Sequence, residues 1–147
     1  MPALLRATTE LVAQAWLNSL FDTPIVAMTL PKDTSSWTTT GFITITTVGG
    51  APDPYVQRRN PVVSVDCWAL NPNSAKPPWG KANHLAETVQ AACWDHARIS
   101  RPLALPDGFP DARVLSAYTT SEARRIYDDQ ASYAHYSLDL ALHWVEL

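Results

Sequence analysis

The chain has 147 residues, of which 46% are hydrophobic and 17% charged, a balance that suits one globular domain over 1–147 and excludes wholesale disorder. Eleven Lys and Arg stand against fourteen Asp and Glu, so the net charge of −3 argues against a surface that grips nucleic acid throughout. There is no unbroken apolar run of roughly 18 residues and no basic-then-apolar leader, so neither a transmembrane helix nor a secretory signal is expected.

Cys67 and Cys93 are too few for a disulfide framework, which points to synthesis in a reducing compartment. Twelve prolines against five glycines imply stiff connections between a modest number of regular elements.

The first element reads as a helix. Val12, Ala13, Trp16, Leu17 and Leu20 fall on one helical face, Thr8 or Thr9 can cap its start, and Pro24 ends it near Phe21 and Asp22. Ile25–Leu30 is an apolar run of strand length, closed by Pro31, and 32–40 is a Ser- and Thr-rich loop. Phe42–Val48 alternates as a strand, and Gly49-Gly50 breaks it. A long loop through Asn60 leads to the partner strand 61–69, where Val63, Val65, Cys67 and Ala69 share one face.

Residues 71–79 hold three prolines and read as irregular. A second helix is predicted from Lys81 to about Ala97, with Ala82, Leu85, Ala86, Val89, Cys93 and Ala97 on a stripe of mostly small residues. After a proline-punctuated loop, 112–119 reads as a strand and Ser121–Gln130 as a charged connection. Ser132–Val145 is the longest alternating run, with Tyr136, Leu138, Leu140, Leu142 and Trp144 on one side. At about 3.3 Å per residue it spans the whole body or projects from it. The predicted class is α+β, an antiparallel or mixed sheet of four to five strands with two main helices packed on one face.

Enzyme motifs are missing. No phosphate loop, dinucleotide fingerprint, nucleophile elbow or H-E-x-x-H occurs. Cys93 and His96, three apart on the predicted helix, could join Cys67 as soft ligands, but structural zinc needs four ligands and no second close pair exists. A Cys93–His96 nucleophile pair has no evident oxyanion partner. Asp128, Asp129 and Asp66 could hold Mg²⁺, although a solvated turn explains the Asp pair more simply. The expectation is no catalytic residue, no metal and no cofactor. The doublets Arg58-Arg59 and Arg124-Arg125 suit phosphates or, equally, ion pairs across a subunit contact. Trp16 and Trp144 fall on apolar stripes and belong to a core, whereas Trp37 and Trp79 lie in predicted loops and are candidates for contact with a partner.

The order of segments resembles the tail terminator (tail completion) proteins of long-tailed bacteriophages, particularly those of actinobacterial phages. The resemblance lies in Leu11–Leu17 (LVAQAWL), the strand ending Val48-Gly49-Gly50, Val62–Ala69 (VVSVDCWA), Ala82–Val89 (ANHLAETV) and Tyr133–Leu140 (YAHYSLDL). The insert Asn71–Gly80 departs from that pattern. The resemblance implies a structural, non-catalytic virion protein, made in the host cytoplasm and not inserted in a membrane. It would form a homo-oligomeric ring, usually of six copies, on the head-proximal end of the tail tube. The ring would stop polymerisation of the tube protein, meet the head-to-tail connector or stopper, and let DNA pass without specific binding.

Loop chemistry points to Asp53, Tyr55, Arg58 and Arg59 for contacts within the ring, and to Trp37, Trp79, Arg124, Arg125, Asp128 and Asp129 for the tube or connector. Competing readings are a connector or stopper ring, a small hydrolase using Cys93, His96 or an Asp pair, and a ligand-binding domain built on tryptophans.

Overall fold

The computed structural model describes residues 5–71, 76–127 and 133–147. Helix α1 spans Thr9–Asn18. The Thr8 hydroxyl accepts a hydrogen bond from the Leu11 N–H at 3.3 Å, satisfying one of the donors a helix start leaves free. The helix buries Val12, Ala13, Trp16 and Leu17 of the predicted stripe and stops at Asn18, short of Leu20 and of the end expected near Phe21 and Asp22. At its far end Asn18 Oδ1 accepts from the backbone N–H groups of Ile25 and Val26, at 3.0 and 3.1 Å. This one side chain ties the helix to strand β1, Val26–Ala27. Asn18→Ala would leave both half-buried donors unmet and is expected to cost about 1–3 kcal/mol in urea denaturation, while Asn18→Asp should recover most of it.

The described residues form one sheet of eight strands, a correction to the four or five expected. Four of them, β2 (Phe42–Gly49), β4 (Val62–Ala69), β6 (Ala112–Thr119) and β8 (Ala134–Glu146), have eight residues or more. The others are short: β1, β3 (Arg58–Arg59), β5 (Pro102–Leu103) and β7 (Arg124–Ile126). Two or three residues have no period to read, so β3, β5 and β7 fall in stretches that look like loops.

The principal order is β1-β2-β4-β8-β6-β5, with β3 and β7 also paired to β8. Only β1 and β2 are parallel, so the sheet is mixed. The long β8 does not project. One edge carries β4 along Ala134–Ala141 and then β3 at Trp144 and Val145; the other carries β6 along Leu140–Glu146 and β7 along His135–Ser137.

Directly opposed residues lie on the same face of an antiparallel pair. Ile43, Ile45, Val63, Val65, Cys67, Leu138, Leu140, Leu142, Trp144, Val114 and Ala117 therefore share a face, and all are buried. Helix α2, Trp79–Ala92, packs there through Ala82, Leu85, Ala86, Val89 and Ala92. Helix α1 shares that face: Trp144 Nε1 donates to Thr9 Oγ1 at 3.2 Å, and Thr119 Oγ1 donates to Gln90 Oε1 of α2 at 2.7 Å. The second helix starts earlier than its stripe implies, at Trp79, and stops at Ala92. Beyond it Asp95 caps a short 3-10 turn, His96–Arg98, by accepting from the Ala97 N–H. The other face of the sheet carries half-exposed Thr44, Ser64, Asp66, Trp68, His135, Asp139 and His143.

Candidate interaction surface

The loop after β2 is shaped by Asp53. Its Oδ1 accepts from the N–H groups of Tyr55 and Val56 at 2.8 and 3.3 Å, and its Oδ2 lies 3.8 Å from Arg58 Nη2. This local turn lifts Tyr55 clear of the body, where it is 94% exposed, with Val56 beside it. Arg58 and Arg59 follow as β3 and point to opposite faces. Arg59 lies over the Trp144 ring, 5.4 Å from its centroid, on the helix side. Glu146 closes the base of a depression of about 310 Å³ beneath the loop, holding Arg6 Nε at 3.3 Å and the Ala7 N–H at 3.0 Å. Asp53, Tyr55, Arg58 and Arg59 are thus brought together.

A second cluster forms around Arg125 in β7. Its guanidinium sits 4.6 Å from the Trp79 ring centroid and donates to the hydroxyls of Tyr136 and Tyr127, both at 3.3 Å. Those bonds favour the charged form. Tyr127 is 71% exposed, and Arg124 is exposed beside Ser121. Trp79 and Arg125 are therefore neighbours, whereas Arg124, opposite Ser137, takes the other face of the strand; Trp79 is the first residue of α2 rather than a loop residue. Asp128 and Asp129 lie outside the described residues.

Trp37 is a correction. It is 2% exposed and packs against Phe42 and Tyr133, with centroid distances of 6.3 and 5.8 Å. Asp33 caps a 3-10 turn, Thr34–Ser36, by accepting from the Ser35 N–H, and Trp37 follows that turn directly. The flanking Ser and Thr residues hide its core role in the sequence.

Two features escaped the sequence reading. Trp94, just beyond α2, is 73% exposed; its place off the Ala82–Leu85–Val89 stripe was the available signal. On the polar sheet face His135 Nε2 is 2.8 Å from Asp66 Oδ1 and its ring stacks 3.9 Å from Trp68. Nothing marks two residues 69 positions apart as partners before the strands pair.

Burial pushes the Cys67 thiol strongly up and the half-buried Cys93 thiol up to about 11, which disfavours the reactive thiolate at both. Cys93 donates to the Val89 carbonyl at 3.4 Å. Among the described residues no three His, Cys, Asp or Glu side chains gather as a metal site, and no helix is long and apolar enough to cross a membrane.

The class defined by this architecture is an α+β domain whose helices share one face of a mixed sheet, with loop-borne Arg and aromatic clusters at its surface. No protein-family model and no curated protein matches the chain. Among solved structures it is similar to a chain of the virion of a native gene transfer agent particle, with a TM-score of 0.50 and 16% identity over 92% of this chain and 88% of that one. At that identity the likeness establishes a common fold.

Proposed function

We propose that this chain is a structural virion protein, a tail terminator that closes into a ring of six copies on the head-proximal end of a tail tube. The observation that carries this reading is the fold shared, over nearly the full length of both chains, with a component of a gene transfer agent virion. The order of segments noted in the sequence supports the narrower role. A head-to-tail contact that closes on itself uses up its own surface, so growth stops. The tube protein would meet one end of the ring and the connector or stopper the other.

In this reading the ring contact draws on Asp53, Tyr55, Arg58 and Arg59, and the aromatic cluster of Trp79 with Arg125, together with exposed Arg124 from the same strand, meets the tube or connector. Arginine and large aromatic groups concentrate binding energy when desolvated together. Asp128 and Asp129 belong to the same tube or connector contact. Six copies at −3 each carry −18, and part of that charge on the channel wall would keep DNA from adhering as it passes.

The test is assembly. The purified protein should elute as a ring and, added to polymerising tube protein, should shorten the tubes. The double charge reversal Arg58→Glu/Arg59→Glu is expected to weaken ring association at least tenfold, read by sedimentation, while leaving circular dichroism unchanged. A basic channel wall would end the charge argument. Binding to the portal-side proteins without any effect on tube growth would favour a connector or stopper.

A further inference from the structure

The sheet ends in two bare edges. Strand β1 covers β2 only at Ile43 and Thr44, and β5 covers β6 only at Ala112 and Arg113, with Ser100 N–H reaching the Val114 carbonyl. Among the described residues no strand pairs with the outer side of Thr46–Gly49 or of Leu115–Thr119. Exposed sheet edges are normally blunted by Lys, Pro, a β-bulge or a covering segment, and of these the two edges carry only the bulges. These two stretches, TTVG and LSAYT, contain no charge and no proline. They also carry Val48, Leu115 and Tyr118, three of the exposed large apolar residues, and Val48 and Leu115 stand at β-bulges.

The two edges match in direction, phase and face. β2 is antiparallel to β4, β4 to β8 and β8 to β6, so β2 and β6 run antiparallel within one sheet. The Ile43 N–H donates outward to Ile25 O at 2.8 Å, so by alternation Ile45 and Thr47 also turn their backbone groups outward. The Leu142 N–H donates to Pro61 O, away from β6, so its partner Ala117 turns its own backbone groups to the outer edge. Thr47 and Ala117 both lie on the helix face, opposite Val63 and Leu142. Facing the outward residues of one edge to those of the other therefore keeps the helices on one side in every copy.

We propose that Thr46–Gly49 of one copy pairs antiparallel with Leu115–Thr119 of a second copy of this chain, with Thr47 opposite Ala117. The inference rests on the ring reading, since it names the contact that closes the ring. It adds the two backbone hydrogen bonds of the Thr47–Ala117 pair, and outward-facing Ile45 and Thr119 stand next along the same edge. In β8 register Thr47 stands level with Leu140 and Ala117 with Leu142, so each copy steps by two residues, about 7 Å. Closing a sheet on itself requires such a stagger and removes its free edges.

In this register Thr46 faces Tyr118 in a non-hydrogen-bonded pair, with Cα atoms about 4.5 Å apart, which a disulfide can span. Mild oxidation of co-produced Thr46→Cys and Tyr118→Cys chains should give covalent dimers, and neither variant should link to itself. The native thiols, both raised by burial, keep the background slow. Thr47→Pro and Ala117→Pro, which remove only outward N–H groups, should keep the circular dichroism of the fold and weaken association at least tenfold. If either proline variant fails to fold, the cross-link decides. Oligomers that form without the cross-link, or proline variants that assemble normally, would overturn the edge pairing and leave the ring reading standing. Wild-type protein that stays single at every concentration, with and without tube protein, would overturn both.

Discussion

Trp144→Ala is expected to lower unfolding stability by about 3–5 kcal/mol, a large part of the total for a domain of this size. Trp144 is 1% exposed at the centre of the helix face. It lies opposite Val114 on one side and Arg59 on the other, and its Nε1 donates to Thr9 of α1. Truncation therefore opens a cavity where the sheet, α1 and the Arg-bearing loop meet. Trp144→Phe keeps most of the apolar volume and loses the hydrogen bond to a half-buried hydroxyl, so its expected cost is only about 1–2 kcal/mol. Urea midpoints for the pair separate packing from hydrogen bonding. Near-equal losses would mean that the bond to Thr9 outweighs the packing.

Gly50→Ala is expected to cost about 2–6 kcal/mol, although it adds a single methyl group. Gly50 has φ +92°, a conformation that L side chains rarely adopt. A Cβ there would lie 2.2 Å from Asn60 O and 2.7 Å from Pro61 Cα. Both are backbone atoms, and Pro61 is held by its ring and by the hydrogen bond its carbonyl accepts from Leu142 N–H at 3.1 Å. About 1–3 kcal/mol of backbone strain adds to a steric penalty of similar size. Gly49→Ala is the control: nothing lies within 4 Å of its Cβ position, and its φ is not positive. It should change stability by less than about 1 kcal/mol. Thermal melts of the two neighbours test the claim directly. Because Gly50 begins the loop that ends in Arg58 and Arg59, its variant should also weaken assembly if those residues serve the ring.

The candidate surface was partly legible. Asp53, Tyr55, Arg58 and Arg59 sit within seven residues, so any turn brings them close, and Asp53 can fold that turn with its own carboxylate. Of the Arg125 cluster, Trp79 and the Arg pair were legible as separate candidates, but not their contact nor Tyr136. Its aromatic half comes from Trp79 and Tyr136, which meet Arg125 because β7 pairs with β8 and α2 packs across the helix face. Trp37 misled for the opposite reason: polar neighbours in the chain conceal apolar neighbours in space.

Elements whose side-chain period matches their own geometry were determined locally. The alternation of β4 and β8, the stripe of α1 and the Thr8 cap follow from periods of 2 and 3.6 and from one hydroxyl, so the residues alone specify them. Tertiary structure alone decided the rest. Arg58–Arg59, Pro102–Leu103 and Arg124–Ile126 are strands because formed edges of β8 and β6 offer them hydrogen bonds, not because so few residues prefer to be extended. The same holds for the bare stretches of β2 and β6, since an edge exists only where a neighbour is missing.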